Sequence, residues 1–139
     1  MSGAIWVGTP VRQIPKRKRR SSGTPEAALL VAVKDLLTAE RVWFCRMNTG
    51  SIMVGEGQSR RCFTSGRKGM ADVLALPRIK LDGAWGYSNV VPLWCELKSP
   101  GGVQSLAQKE FQREVEAEGH TYLLIRDVRQ LQTWLRENA

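Results

Sequence analysis

The sequence predicts an α/β fold with the element order αββββαβα, in which helices flank a mixed central β-sheet. Residues 25–40 carry apolar side chains at helical spacing, and short runs of β-branched and aromatic residues follow them. The passage 90–126 reads as strand, helix and strand, which predicts two parallel strands. With 139 residues, of which 42% are hydrophobic, the chain has the size of one domain.

The first helix is predicted over residues 25–40. Thr24 is a suitable N-cap and Pro25 suits the first helical position. Glu26 falls in the first turn. One face of the helix collects the apolar side chains Leu29, Val33, Leu36 and Leu37. This face is expected to pack on the sheet.

Four strands are predicted before the next helix, at 41–48, 60–66, 72–76 and 90–99. We expect the first two to pair as a hairpin across the turn "NTGS" and a Gly-rich loop. Pro77 stops the third strand, and residues 78–89 are expected to form a surface excursion. The fourth should be the longest and most buried.

The remaining elements are set by two capping-box patterns, "SLAQ" at 105–108 and "DVRQ" at 127–130. The first opens a helix that Gly119 ends. The segment "TYLLIR" is the last strand, and the second pattern opens a C-terminal helix whose apolar residues are Leu131, Trp134 and Leu135. The chain therefore divides into a basic mobile arm, 1–23, and a folded domain, 24–139.

The net charge of +8, from 21 basic and 13 acidic residues, favours a polyanionic partner. Nucleic acid is the first partner to consider, although a basic run is as often a solvated arm. One cluster lies in the arm: Lys16, Arg17, Lys18, Arg19 and Arg20. A second lies in the folded domain: Arg60, Arg61, Arg67 and Lys68.

The cysteine and hydropathy patterns argue against a zinc-binding, a secreted and a membrane-spanning protein. Cys45, Cys62 and Cys95 form no C-x-x-C pair, and His120 is far from all three, so a zinc cage is not expected. The N-terminus has no continuous apolar region typical of a secretory signal, and no stretch is long enough to cross a bilayer. We expect a cytoplasmic protein with no membrane partner, from a bacterium or a phage-infected cell.

The segment "WCELK" at 94–98 places two charges in an apolar strand. Residues two apart in a strand point to the same face, so Glu96 and Lys98 should stand side by side. In isolation they could form a simple ion pair, and Asp72, at the start of another strand, could be a turn residue. If the two strands are neighbours, two carboxylates and one ammonium form a cluster.

Such a cluster suits phosphodiester hydrolysis. Carboxylate oxygens are the ligands that Mg²⁺ prefers, and the ion leaves positions for water and a substrate phosphate. A bound metal lowers the pKa of water, while an ammonium can orient that water or stabilise the charged transition state. The cluster also explains how an apolar strand tolerates Glu96 and Lys98, since each charge is offset by another.

The patterns "KGMADVLAL", "WCELKSPGG" and "SLAQKEFQREVEAEGHTYLLIRD" resemble the VRR-NUC domain of the PD-(D/E)XK nuclease superfamily. The resemblance covers about 24–137. It implies a restriction-endonuclease-like core and metal-dependent cleavage of DNA, with Mg²⁺ as cofactor and Mn²⁺ able to replace it.

The resemblance also implies roles for individual residues. Asp72 and Glu96 resemble the metal-binding carboxylates and Lys98 the catalytic lysine, while Leu97 would lend its backbone carbonyl to the metal. Glu26 matches an acidic residue that completes the metal shell, and Gln108 matches a glutamine counted with the catalytic residues. Glu26 could equally be an ordinary first-turn glutamate, and Gln108 a capping residue.

Members of this length are similar to Holliday-junction resolvases, which act as homodimers on a four-way junction. The resemblance therefore implies a dimeric, structure-selective DNA endonuclease. Two alternatives stay open: a non-catalytic protein that binds nucleic acid through its basic clusters, and a folded RNA-binding accessory protein. Mg²⁺-dependent cleavage of a junction separates them, because pure binding does not need two carboxylates in a basic cleft.

Overall fold

A computed structural model describes residues 23–47, 51–64, 66–80 and 89–139 of the chain. Within these ranges there are three α-helices, α1 (Pro25–Ala39), α2 (Leu106–Ala117) and α3 (Val128–Asn138), and a short 3-10 helix at Gly57–Ser59. The strands are β1 (Trp43–Arg46), β2 (Ser51–Val54), β3 (Arg61–Thr64), β4 (Val73–Leu76), β5 (Arg78–Ile79), β6 (Asn89–Val90), β7 (Leu93–Leu97) and β8 (Thr121–Ile125). The predicted arm lies almost wholly outside the described residues.

The central sheet has four strands in the order β1-β4-β7-β8. β4 pairs antiparallel with both β1 and β7, whereas β7 and β8 are parallel and are joined through α2. The predicted mixed sheet and the parallel strand–helix–strand unit are thus confirmed. The order of the elements is α, seven strands, α, β, α, because three short strands were not predicted.

The predicted hairpin between the first two strands is wrong. β1 pairs with β4, and β3 pairs with β2, in the stretch expected to be a Gly-rich loop. β2 is a short run of β-forming residues, and its partner lies only a few residues further along the chain, so this pairing closes the shorter loop. β1 instead pairs with β4, whose alternate side chains are buried. The predicted turn at 48–51 lies largely outside the described residues.

The predicted surface excursion at 78–89 begins and ends with pairing strands. β5 pairs with β6 in a two-residue antiparallel ladder, directly after Pro77 stops β4. The Lys80 N–H then donates a hydrogen bond of 2.8 Å to the Asn138 carbonyl at the end of α3. The ends of the excursion are therefore tied to the domain, and residues 81–88 between them lie outside the described part.

Helices cover both faces of the central sheet. On one face, α1 and α3 bury Val33, Leu37, Leu131 and Leu135 against the inward-facing residues of β4, β7 and β8. On the other face, Phe111 of α2 packs with a smaller cluster that includes Ala71 and Tyr122. The predicted apolar faces of the first and last helices are confirmed. None of the three helices in the described ranges combines the length and apolarity needed to span a bilayer.

The helix ends follow the sequence signals closely. Both predicted capping boxes are present, and the Thr24 hydroxyl accepts a hydrogen bond from the Ala27 N–H. Gly119 ends α2 with φ of 83°, a left-handed conformation that costs glycine least. At the end of α1 the same conformation is held by Arg41, whose φ is 54°.

Candidate functional site

The predicted site lies where β4 begins and β7 ends. Val73 pairs with Cys95, so Asp72 and Glu96 come next to each other at the same end of the two antiparallel strands. Asp72 Oδ2 accepts a hydrogen bond of 2.8 Å from the Leu97 N–H. The expected proximity of the strand that follows Asp72 and the strand that carries Glu96 is therefore present.

Glu96 is the buried charged residue of this site, with 1% of its surface exposed. Its Oε1 lies 2.8 Å from Lys98 Nζ and accepts a second hydrogen bond of 2.5 Å from Gln108 Nε2. Its Oε2 is buried and has no hydrogen-bond partner among the described residues. Lys98, with a side chain 14% exposed, reaches the surface. Glu96 on β7 and Lys98 directly after it stand side by side, as the strand periodicity predicts.

The pKa of Glu96 is raised above its ordinary value, and burial is the largest cause. Lys98 acts against this shift, while the negative charges of Asp72 and Glu26 add to it. A buried carboxylate near two others is therefore only partly compensated by one ammonium. The site has a deficit of positive charge around its most buried oxygen.

Gln108 satisfies both interpretations of its sequence pattern. Its Oε1 accepts a hydrogen bond of 2.8 Å from the Ser105 N–H, which completes the capping box at the start of α2. Its Nε2 is then directed at Glu96. Gly69 makes this possible, because its φ is 83° and a side chain there would overlap the Ala107 carbonyl in the first turn of α2.

Glu26 links the start of α1 to the chain that leaves β7. Its Oε1 accepts a hydrogen bond of 3.1 Å from the Ser99 N–H, and its charge acts on Glu96. Leu97 buries its side chain in the main core, so only its backbone is directed toward the site. Within the described ranges, no group of three or more His, Cys, Asp or Glu side chains has an arrangement that could hold a metal ion.

Arg126 was not among the predicted site residues, although it secures the segment that follows Lys98. Its Nη1 donates to the carbonyl oxygens of Ser99 at 2.8 Å and Gly102 at 2.7 Å. The signal was available in the sequence, because Arg126 is the last residue of a strand predicted to be parallel to the "WCELK" strand. Parallel strands end at the same edge of a sheet, so their following residues meet.

Tyr122 is a second residue that the sequence did not single out. Burial and the charge of Glu96 raise its pKa, and its hydroxyl accepts a hydrogen bond of 3.3 Å from Gln104 Nε2. A neutral phenol therefore lies close to the carboxylates. Its buried position on β8 is typical of a core aromatic residue, which is why the sequence gives it no functional signal.

The basic residues predicted to contact DNA differ from one another in the structure. Arg67 forms a two-point ion pair with Glu114 of α2, with distances of 2.6 and 2.7 Å, and lies 5.9 Å from the centre of the Phe111 ring. Arg60, Arg61 and Lys68 are exposed. The predicted contacts of residues 16–20 lie outside the described residues. Arg67 therefore has a structural partner that the sequence did not reveal.

The cysteines are dispersed. Cys45 and Cys62 are exposed, and Cys95 is buried in the main core, where burial raises the pKa of its thiol to about 12. His120 accepts a hydrogen bond of 3.0 Å at Nδ1 from the indole N–H of Trp94. It is far from Cys45 and Cys62 in the sequence.

Comparisons with known proteins identify no relative: no family model, curated protein or solved structure matches the chain.

Proposed function

We propose that this protein is a Mg²⁺-dependent, structure-selective DNA endonuclease of the PD-(D/E)XK type. The observation that supports this best is Glu96 Oε2, a buried carboxylate oxygen for which the described part of the chain supplies no hydrogen-bond partner. Buried carboxylate oxygens are normally hydrogen-bonded or coordinate a metal. Asp72 lies beside Glu96 and carries a second carboxylate, so a divalent cation between them would satisfy the oxygen and offset their repulsion.

The donor set fits magnesium. Mg²⁺ is commonly bound through one or two carboxylates, with waters and substrate phosphate at its other positions. Asp72 and Glu96 supply such a pair, and the Leu97 carbonyl is the proposed third protein oxygen. Glu26 would act from the next layer while it accepts the Ser99 N–H. Two carboxylates are enough for this arrangement.

The residues of the site divide the chemical work. Gln108 and Lys98 both hold Oε1 of Glu96, which directs Oε2 away from them. The partly exposed ammonium of Lys98 can orient an attacking water or stabilise charge on the phosphate oxygens. The metal, when bound, supplies a water of lowered pKa and neutralises phosphate charge. Asp72 is held at Oδ2 by the Leu97 N–H, and its Oδ1 is the oxygen proposed to bind the metal.

The proposed substrate is branched DNA, with a homodimer acting on a four-way junction. The net charge of +8 supports a polyanionic substrate. A four-way junction offers two equivalent strands, and a two-fold symmetric dimer would present one site to each. The alternative, a non-catalytic DNA-binding protein, would use Glu96, Lys98 and Gln108 only as a buried hydrogen-bonded group.

A cleavage assay tests the proposal. Labelled duplex, flap and four-way junction DNA are incubated with the protein in Mg²⁺, in Mn²⁺ and in EDTA. We expect metal-dependent cleavage with the junction as the best substrate. Lys98→Ala should lower the cleavage rate at least about 100-fold while binding in EDTA stays unchanged.

Arg113→Ala is the matched control, because Arg113 is an exposed cation on α2 and should retain full activity. Cleavage by Lys98→Ala near the rate of the control would contradict the proposal. Junction binding without cleavage in either metal would favour the non-catalytic alternative.

A further inference from the structure

A large groove lies at the end of the sheet opposite Glu96. Its volume is about 910 Å³, and it is bounded by the end of α1, the start of β1, the β5–β6 ladder and α3. Trp43 at its edge pairs with Leu76, whereas Asp72 precedes the other end of β4. Asp72 and Leu76 are four positions apart along the extended chain, which is roughly 13 Å. The groove is therefore separate from the carboxylates.

The charge of the groove is strongly positive. Arg41, Arg78, Lys80 and Arg136 line it and are all exposed. In the described part of the chain, none of these four cations forms a salt bridge, and Glu40 is the acidic side chain that faces them. Arg67 and Arg129, by contrast, are each paired with a carboxylate. The lining cations are thus available to an anionic ligand.

An exposed aromatic ring lies among these cations. Trp43 is 58% exposed and Val90 is 50% exposed, and both line the groove. Exposed apolar surface that is rimmed by polar side chains in this way can mark a binding site. A tryptophan next to several arginines is the combination that binds single-stranded nucleic acids, because the ring stacks on a base while the cations contact the neighbouring phosphates.

The backbone at Arg41 supports a functional role. The Val42 N–H donates to the Leu37 carbonyl, and the Arg41 N–H donates to the Thr38 carbonyl, which is the Schellman ending of a helix. In that motif the residue with positive φ is usually glycine, yet here it is an arginine with φ of 54°. A strained backbone is kept where its side chain is useful, and this side chain lines the groove.

We propose that the groove binds a single-stranded polynucleotide, with a base stacked on Trp43 and phosphates held by Arg41, Arg78, Lys80 and Arg136. This binding does not depend on hydrolysis at Glu96. Duplex nucleic acid keeps its base faces stacked inside the helix, so it offers Trp43 no ring to stack on. The groove should therefore prefer single strands.

Binding is measured by fluorescence anisotropy in EDTA, where cleavage does not occur. The probes are labelled oligodeoxythymidylate and oligouridylate of equal length, which distinguish DNA from RNA, and a duplex. Trp43→Ala should weaken single-strand binding about tenfold, whereas Trp43→Phe, which keeps a ring, should bind like the wild type. The double substitution Arg78→Glu and Arg136→Glu should remove two phosphate contacts. The slope of log K against the logarithm of the salt concentration should then become shallower by about 1.4.

Arg113→Glu on α2 is the charge-matched control, compared with Arg78→Glu alone. Arg41→Gly separates the effect on binding from the effect on stability. Glycine suits the positive φ at this position, so Tm should rise, while loss of the guanidinium should weaken binding. The proposal is overturned if the groove variants bind single strands like the control, or if they weaken duplex binding more than single-strand binding. Equal competition by polyglutamate, which has charge but no bases, would also overturn it and indicate an acidic protein partner.

Discussion

Charged side chains are held in opposite ways at the two ends of the four-stranded sheet. At one end, Glu96 is buried and its Oε1 is fixed by Lys98 and Gln108. At the other, the groove cations such as Arg78 and Arg136 are exposed and have no carboxylate partner within the described residues. Fixed geometry suits bond cleavage, whereas exposed cations suit a partner of variable sequence.

The comparison also shows how each end is built. The carboxylate end depends on backbone contacts between distant segments, such as Leu97 to Asp72 and Ser99 to Glu26. The groove depends on surface side chains that surround a gap. Substitutions at the first end should therefore alter stability and catalysis together. Substitutions of exposed groove side chains should alter binding alone, except at Arg41, whose positive φ also affects stability.

The largest expected effect is loss of cleavage on removing a proposed metal ligand. Asp72→Asn and Glu96→Gln should each lower the cleavage rate at least about 100-fold, because an amide is a weaker ligand for Mg²⁺ than a carboxylate. Neither change should affect oligonucleotide binding at the groove.

A thermal-shift titration supplies a readout that does not depend on activity. Mg²⁺ should raise the Tm of the wild type, because a ligand that binds only the native state stabilises it, and should have little effect on either variant. An undiminished Mg²⁺-dependent rise in both variants would remove Asp72 and Glu96 from the metal site.

Gly69→Ala should damage the carboxylate end through the backbone. The new Cβ would overlap the Ala107 carbonyl, and the residue would have to keep its φ of 83°. We expect a loss of about 2 kcal/mol in the free energy of unfolding, together with slower cleavage, because the first turn of α2 carries Gln108.

Gly101→Ala is the matched control, since a side chain there meets nothing within 4 Å. Urea denaturation measures both variants. Equal stability of the two would show that the contact between Gly69 and α2 is not tight.

Arg126→Ala should loosen the segment that follows Lys98. Its guanidinium donates to the Ser99 and Gly102 carbonyls, so its removal leaves these partly buried acceptors to find water. We expect a loss of about 1.5 kcal/mol in stability and a smaller fall in cleavage than for Lys98→Ala.

Arg129→Ala is the comparison, because Arg129 is exposed and pairs only with Asp127 next to its helix. If Arg126→Ala lowers the free energy of unfolding no more than Arg129→Ala does, Arg126 does not stabilise the segment that follows Lys98.

The smallest effect is the pH dependence of stability. Burial raises the pKa of Glu96 in the folded protein, so ionisation of this carboxyl group is less favourable there than in the unfolded chain. The contribution of Glu96 to the free energy of unfolding is fully present below the ordinary carboxyl pKa of about 4.3. This contribution is lost as the pH rises through the raised pKa of the folded state.

In EDTA, Glu96→Gln should therefore gain Tm over the wild type as pH rises from 4 to 8. Asp127 behaves oppositely: Arg129 lowers its pKa to about 2, so its contribution is lost as pH falls from about 4 toward 2. A Tm difference between Glu96→Gln and the wild type that shrinks with rising pH would contradict the assignment for Glu96.

Local sequence signals predicted the three helices and the proximity of Glu96 to Lys98. Capping residues act over three or four positions, so "SLAQ" and "DVRQ" specify where α2 and α3 begin regardless of the rest of the chain. The period of two in "WCELK" places Glu96 beside Lys98 in any strand. Strand pairing was predicted less well, because the partner of β1 depends on which faces become buried together.

By itself, the sequence determined the three helices, the buried β7 strand, the net positive charge and the pairing of Glu96 with Lys98, since each depends on composition or on neighbours within a few residues. Only the tertiary structure decided that β1 pairs with β4, that Arg126 holds the segment after Lys98, and that four cations surround Trp43. These features join residues far apart in the chain. Their energies arise from burial and contact in the folded domain, and no local pattern encodes which distant partners will meet.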